Sequence, residues 1–380
     1  MSAGVVPASG PERQRLAETF VRLCEIESPS GRELQIARAV RVELEKAGLA
    51  VHEDSTAAET GAECGNLLAR VPGPAGARSV MLCAHLDTVP LTDGIEVIET
   101  DGVFTNRREA ILGADNKAAL AVLLEVARRF GRGGSPVPCE LLFTTSEENG
   151  LRGAQAFDLG LLQSEFGYVF DHASAIGELI VAAPTHFYIA AEFRGRGAHA
   201  GIRPEAGRSA VTAAAKAVEA MRLGRLDEET TANVGRIEGG TATNVVAERC
   251  RIEAEARSLD HAKATRLAGE MMDAITWAAS TTETDVDTGI EEQFHAYRIG
   301  QSDPCVRAAA EALSDCGITP SYVSTGGGSD ANAFALKGMR CLNVANGTEA
   351  NHTPDERVSL AALETMLRVT FRLLERTAEV

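Results

Sequence analysis

The chain has 380 residues, of which 44% are hydrophobic and 24% charged. That is the composition of a folded protein with more than one core, and it excludes a disordered chain. The formal net charge of −17 comes with no Lys/Arg-rich run, and aromatic residues make up only 4%, so the sequence offers nucleic acid neither a basic patch nor a stacking platform.

Met1 to Arg15 lacks the basic start and apolar core of a signal peptide. No run approaches the roughly 18 apolar residues of a membrane span, so a cytoplasmic protein with no membrane partner is expected. Segment 11–49 reads as helix, with Leu16, Phe20, Leu23 and Ile26 on one face. After Ser28-Pro29-Ser30-Gly31 a second helix begins, with Ile36, Val40, Val42 and Leu44 as its apolar positions and Gly48 near its end. Strands are predicted at Asn66–Val71, Ser79–Ala84, Val137–Thr145 and Phe166–Phe170, with a buried helix at Ala118–Phe130. Strands alternating with helices indicate an α/β domain with a mainly parallel mixed sheet flanked by helices. The eight cysteines form no CxxC pair and read as buried free thiols.

The pattern changes near Ala182–Pro184. From His186 to about Asp287 it runs strand, helix, strand, strand, helix: Phe187–Arg194, Ser209–Met221, Asn233–Glu238, Ala247–Ser258 and His261–Thr281. This is a βαββαβ unit of ferredoxin-like α+β type inserted in the larger domain. The expected organisation is a discontinuous domain of residues 1–184 and 294–380, interrupted by residues 185–293. Hinges are expected near Ala182–Thr185 and Asp287–Phe294. The chain then returns to α/β pattern and ends in the helix Leu360–Ala378.

Parallel sheets place functional residues just past the carboxyl ends of their strands. Here the apolar runs are followed by His85-Leu86-Asp87, by Glu147-Glu148 and by Asp171. In His85-Leu86-Asp87 the two-residue period turns both polar side chains the same way, and Asp87 could fix the tautomer of a ligating imidazole. Asp115, in Gly113-Ala114-Asp115-Asn116-Lys117, directly precedes a helix and could equally be its cap. Two adjacent acids buried together, as at Glu147-Glu148, are costly without a cation. A late histidine, His352, lies in the polar loop Asn351-His352-Thr353-Pro354. Each position alone has an ordinary structural explanation; their joint occurrence points to a metal.

These motifs, with Gly197-Ala198-His199-Ala200-Gly201 and Gly326-Gly327-Gly328-Ser329-Asp330, give the chain its resemblance to the co-catalytic zinc peptidases. That family includes peptidase T, the glutamate carboxypeptidases, aminoacylase and succinyl-diaminopimelate desuccinylase. Ala182-Ala183-Pro184-Thr185 and Gly239-Gly240-Thr241-Ala242-Thr243-Asn244 look most like the peptidase T branch. The resemblance implies that His85 and Asp171 bind one zinc, Glu148 and His352 the other, and that Asp115 bridges them. It implies that Asp87 orients His85 and that Glu147 is the general base. It also implies a cis peptide after Asp115, although many relatives carry Asp where this chain has Asn116.

Two Zn2+ ions, replaceable in vitro by Co2+ or Mn2+, suit this mixed carboxylate and imidazole set. They would supply what amide hydrolysis lacks, a water acidic near pH 7 and a clamp for the oxyanion. In the family, His199 contacts the scissile carbonyl, often across a dimer interface, so a homodimer through the inserted unit is expected. Asn244 and Arg257 match substrate-binding positions, Arg257 as a carboxylate fork. Gly327, Gly328 and Ser329 would present backbone N–H groups as an anion nest. The expected activity is hydrolysis of small peptides by a tripeptide-type aminopeptidase. An N-acyl amino acid amidohydrolase or carboxypeptidase would share the same ligands, and a non-catalytic relative would have lost one of them.

Overall fold

The computed structural model describes residues 8–379; part of Met1–Arg15, read above for a signal peptide, lies outside them. By the density of its internal contacts the chain divides into two compact units, Met1–Ala182 with Arg298–Ser324 and Ser329–Val380, and Ala183–Tyr297 with Thr325–Gly328. The expected second hinge at Asp287–Phe294 is not a boundary. Those residues belong to the strand Asp285–Phe294, which pairs along Thr185–Arg194 and ties the segment into the second unit.

The first unit is built on a mixed sheet. Its central strands Cys139–Thr144, Val80–His85, Phe166–His172 and Arg340–Ala345 are mutually parallel. Leu67–Val71 is antiparallel to Cys139–Thr144, and Glu178–Ala183 is antiparallel to Arg340–Ala345. Val80–His85 and Cys139–Thr144 are buried at every position, which is why they read as unbroken apolar runs rather than as alternation. The helix Ala114–Phe130 is likewise buried on most sides, with Leu120, Val122, Leu123, Leu124 and Val126 all fully covered. Each such Leu or Val contributes about 1.5–3 kcal/mol through burial.

The same unit carries a second, smaller sheet with no clear trace in the sequence pattern. Val97–Thr100, Val103–Asn106, Arg357–Ser359 and Thr348–Glu349 form an antiparallel ribbon. Its strands have two to four residues and are partly exposed, too short for a periodicity to register.

The second unit has the expected ferredoxin-like order. Its four long strands lie as Thr230–Gly239, Arg249–Ser258, Thr185–Arg194 and Asp285–Phe294, all antiparallel. Strict alternation of buried and part-buried residues along Thr185–Phe193 gives the sheet one apolar face. The helices Ala210–Ala220 and His261–Thr281 supply the rest of that core, through Ala213, Ala217, Leu267, Met271 and Ile275. All eight cysteines are free thiols, and seven are buried.

Candidate metal centre

Five segments of the first unit bring acidic and imidazole side chains together. His85 closes the strand Val80–His85, and Asp171 lies near the end of Phe166–His172. Glu147 and Glu148 follow Cys139–Thr144, after a left-handed Ser146 (φ 52°). Asp115 stands at the start of Ala114–Phe130, where the backbone is not yet helical. His352 (φ 64°) occupies the loop between the short strands Thr348–Glu349 and Arg357–Ser359.

His85 Nε2 lies 3.2 Å from Asp115 Oδ1 and 3.5 Å from Asp171 Oδ1. His352 Nε2 lies 3.0 Å from Glu148 Oε1 and 3.4 Å from Asp115 Oδ2. Asp115 therefore faces one imidazole with each carboxylate oxygen and belongs to two three-donor groups at once, with His85 and Asp171 and with Glu148 and His352. Tetrahedral zinc with bonds of about 2.0–2.1 Å separates neighbouring donors by about 3.3 Å, the spacing found in both groups. Glu147 also lies within ligand reach of His85.

His85 Nδ1 donates to the main-chain carbonyl of Asp87 at 3.0 Å, with the Asp87 carboxylate at 3.4 Å. A carbonyl can only accept, so the proton sits on Nδ1 and the Nε2 lone pair faces the cluster. The Asp87 carboxylate has further partners. It accepts the backbone N–H of Glu147 at 2.9 Å, that of Glu148 at 3.1 Å and the Ser30 hydroxyl at 2.7 Å. One buried aspartate thus holds both the first imidazole and the two glutamates.

The electrostatics show what the cluster lacks. Burial, then the charge of Asp171, pushes Glu147 well above the usual carboxylate range. Burial likewise raises Glu148, and burial followed by the charge of Asp115 pushes Asp171 up to about 8. Burial would raise Asp115 too, but hydrogen bonds from His352 and His85 outweigh it and hold Asp115 below its ordinary value. The same bonds from Asp115 and Glu148 push His352 up to about 10. Among the described residues no Lys or Arg is paired with these carboxylates. Protons alone balance the crowding, and a divalent cation is the group this donor set fits.

Over residues 81–376 the chain matches the peptidase family M20/M25/M40. The chain belongs to that family. Protein YqjE of Bacillus subtilis (strain 168) is 35% identical over 367 residues, covering 96% of this chain and 99% of YqjE. The crystal structure of aminopeptidase PepT from Bacillus cereus ATCC 10987 is 37% identical, with a TM-score of 0.86 and coverage of 96% and 99% of the two chains. A tripeptidase from Staphylococcus aureus subsp. aureus mu50 is 32% identical, with a TM-score of 0.91 and coverage of 97% and 99%. This M20-family chain is a peptidase T-like hydrolase of peptide bonds. No helix among the described residues is long and apolar enough to cross a membrane.

The residues that shape this M20-family site were only partly legible in sequence. The Asp115-Asn116 peptide is cis, as the resemblance implied. Asn116 is fully buried, and its side-chain amide finds no hydrogen-bond partner among the described residues. Glu356, 1% exposed, accepts the backbone N–H of Gly113 at 2.7 Å and of Asp115 at 2.9 Å. Gly113 needs its φ of 72° to turn both amides toward that carboxylate. Asn351 Nδ2 donates to Asp115 Oδ2 at 2.8 Å. Glu33, fully buried, accepts from Gly31 N, Ser146 N and Ser146 Oγ at 2.8, 3.0 and 3.1 Å, and so fixes the turn that delivers Glu147. Asp330 accepts from Thr144 Oγ1 at 2.5 Å and is pushed up to about 6 by burial. Of these, Glu33 and Glu356 carry no mark in the sequence, where Glu33 has the look of an ordinary acid just before a helix.

Five of the remaining expected residues, His199, Asn244, Arg257, Gly327 and Gly328, belong to the second unit, and Ser329 to the first. His199 is exposed, and its Nδ1 accepts from Gly201 N at 3.2 Å. Ala200 N donates to Asn244 O at 2.9 Å, so the loops carrying His199 and Asn244 are laced together. Arg257 is engaged by Glu255 Oε2 and by Gly326 O, both at 2.9 Å. The glycine run lacks the alternating right- and left-handed backbone of a nest, since none of Gly326, Gly327 and Gly328 has a positive φ. At Gly328 the reason for glycine is packing: a Cβ there would meet the Phe294 ring at 2.6 Å. Ser329 is buried, and its N–H donates to Asn332 Oδ1 at 3.1 Å.

Proposed function

We propose that the chain is a cytoplasmic, homodimeric, dinuclear zinc aminopeptidase that acts on tripeptides and similar small peptides. The observation that carries this reading is Asp115, shared between two groups of donors with Glu147 beside them. His85, Asp171 and Asp115 would hold one zinc, and Glu148, His352 and Asp115 the other. Bound there, the pair would polarise the scissile carbonyl and make water acidic enough to attack near neutral pH.

The chain's own residues supply the rest. Glu147 takes the proton of the attacking water on a carboxylate oxygen and returns it to the leaving nitrogen. Burial, and then the charge of Asp171, raises the affinity of this carboxylate for a proton. Asp87 keeps His85 in the tautomer that faces the cluster, and Glu33 and Asp87 keep the Glu147–Glu148 turn in place. For the peptide we assign carbonyl contact to His199, and substrate binding to Asn244, Arg257, Gly327, Gly328 and Ser329. Arg257 would have to exchange its contact with Glu255 to clamp a carboxylate.

The likeness to an aminopeptidase PepT and a tripeptidase supports the choice of substrate. The test is hydrolysis, by zinc-loaded protein, of one tripeptide in free, N-acetylated and C-amidated form. Cleavage that needs a free amino terminus is expected. Preference for the acetylated peptide, or release from the carboxyl end, would replace this reading with an acylase or carboxypeptidase on the same centre.

A further inference from the structure

The second unit contains a cluster of ligating side chains that the peptidase reading does not use. His261 is the first residue of the helix His261–Thr281, Glu292 lies near the end of the strand Asp285–Phe294, and His295 follows that strand. A bulge between Glu292 and Phe294 breaks the strand's alternation. Such breaks re-aim side chains. His295 Nδ1 reaches Glu292 Oε1 at 2.7 Å, His261 Nδ1 stands 3.8 Å from the same oxygen, and the two imidazole rings lie 4.1 Å apart, centroid to centroid. One donor atom from each of the three residues falls within 4.8 Å of the others.

The hydrogen bonding around His261 prepares one of its nitrogens. Thr265 spends its hydroxyl proton on His261 O at 2.8 Å, so at 3.4 Å it can only accept from Nε2–H. The Nδ1 lone pair thereby accepts from the Thr185 hydroxyl at 3.2 Å, a bond that an ion between His261 and Glu292 would displace. Thr185 Oγ1 is itself fixed by accepting Ala296 N at 2.9 Å. A ligating histidine whose other ring nitrogen donates to a neighbour is the usual arrangement at metals. The nitrogen–oxygen separations of 2.7 and 3.8 Å bracket the roughly 3.3 Å expected across a tetrahedral ion. The three side chains are 31–41% exposed, which leaves a fourth position open to water.

We propose that His261, Glu292 and His295 form a third divalent-metal site, separate from the paired centre. Two imidazoles and one carboxylate select zinc and its neighbours, such as cobalt or nickel, over magnesium or calcium. The ion takes the place of the proton that joins His295 Nδ1 to Glu292; in the neutral imidazole that proton moves to Nε2, away from the ion. It clips the start of one helix to the end of one strand within the second unit.

The experiment titrates Zn2+ into the metal-stripped full-length protein by calorimetry. Wild type is compared with the His261→Ala/His295→Ala variant and with Glu292→Gln. Three ions per wild-type chain are expected, two in the double variant, and at least tenfold weaker binding of the third ion in Glu292→Gln. Equal stoichiometry in wild type and double variant overturns the proposal and leaves the cluster an ion pair only. One ion in wild type and none in the double variant would keep this site and sink the dinuclear reading instead.

Discussion

Asp87 Oδ1 accepts the backbone N–H of Glu147 at 2.9 Å, across sixty positions of sequence. The bond places an acidic side chain, itself fully buried, behind the residue that we assign as base. The same aspartate holds Glu148 N, Ser30 Oγ and, through its carbonyl, His85 Nδ1. Each hydrogen-bond partner of the carboxylate is a donor, so both of its oxygens serve as acceptors.

Asp87→Asn would confront two backbone N–H groups with an amide that can accept from only part of them. Leaving a buried donor unmade costs about 1–3 kcal/mol. Metal affinity should fall about 10–100-fold, as for other groups that orient ligands, and kcat should fall with it. Calorimetric zinc titration and steady-state kinetics on the same preparation check both. Unchanged metal affinity would show that the charge of the Asp87 carboxylate does not position the ligands and that its main-chain carbonyl alone holds His85.

Glu147→Gln keeps the shape of the side chain and removes its proton acceptor. Zinc content should match wild type, and kcat should fall about 10²–10⁴-fold, the range for a general base. Metal analysis beside kinetics separates this outcome from its rival. Loss of an ion would make Glu147 a ligand, which its reach toward His85 allows.

Glu43 offers a pH test away from the centre. Burial would raise its carboxyl, but hydrogen bonds from Arg128 and Lys46 and the charges of Arg128 and Arg22 hold it at about 2. The folded value lies below the ordinary one, so the stabilisation is complete above about pH 4.5 and is lost as pH falls toward 2. Glu43→Gln should lose about 1–2 kcal/mol at pH 7, allowing for the exposure of Arg22 and Lys46. Urea denaturation at a series of pH values should show that difference constant from pH 7 to about 5 and shrinking below. A difference that grows on acidification would contradict the assignment.

The sequence by itself determined the α/β core, the ferredoxin-like insertion and the positions of His85, Asp87, Glu147, Glu148 and Asp171 at strand ends. Fully buried strands must be runs of apolar residues, and the first polar residues after them fall at the one sheet edge where side chains converge. Tertiary structure alone decided what stands behind those residues. Glu33 reaches Ser146 across 113 positions and Glu356 reaches Asp115 across 241, and no local pattern separates such an acid from a helix cap or a loop residue. The ribbon that carries His352 was hidden because its strands are too short and too exposed to show a period. The packing of the Phe294 ring against Gly328, where a Cβ would meet it at 2.6 Å, is likewise invisible in the glycine run itself. Periodicity records which face of an element is buried; it does not record which distant side chain fills the place beside it.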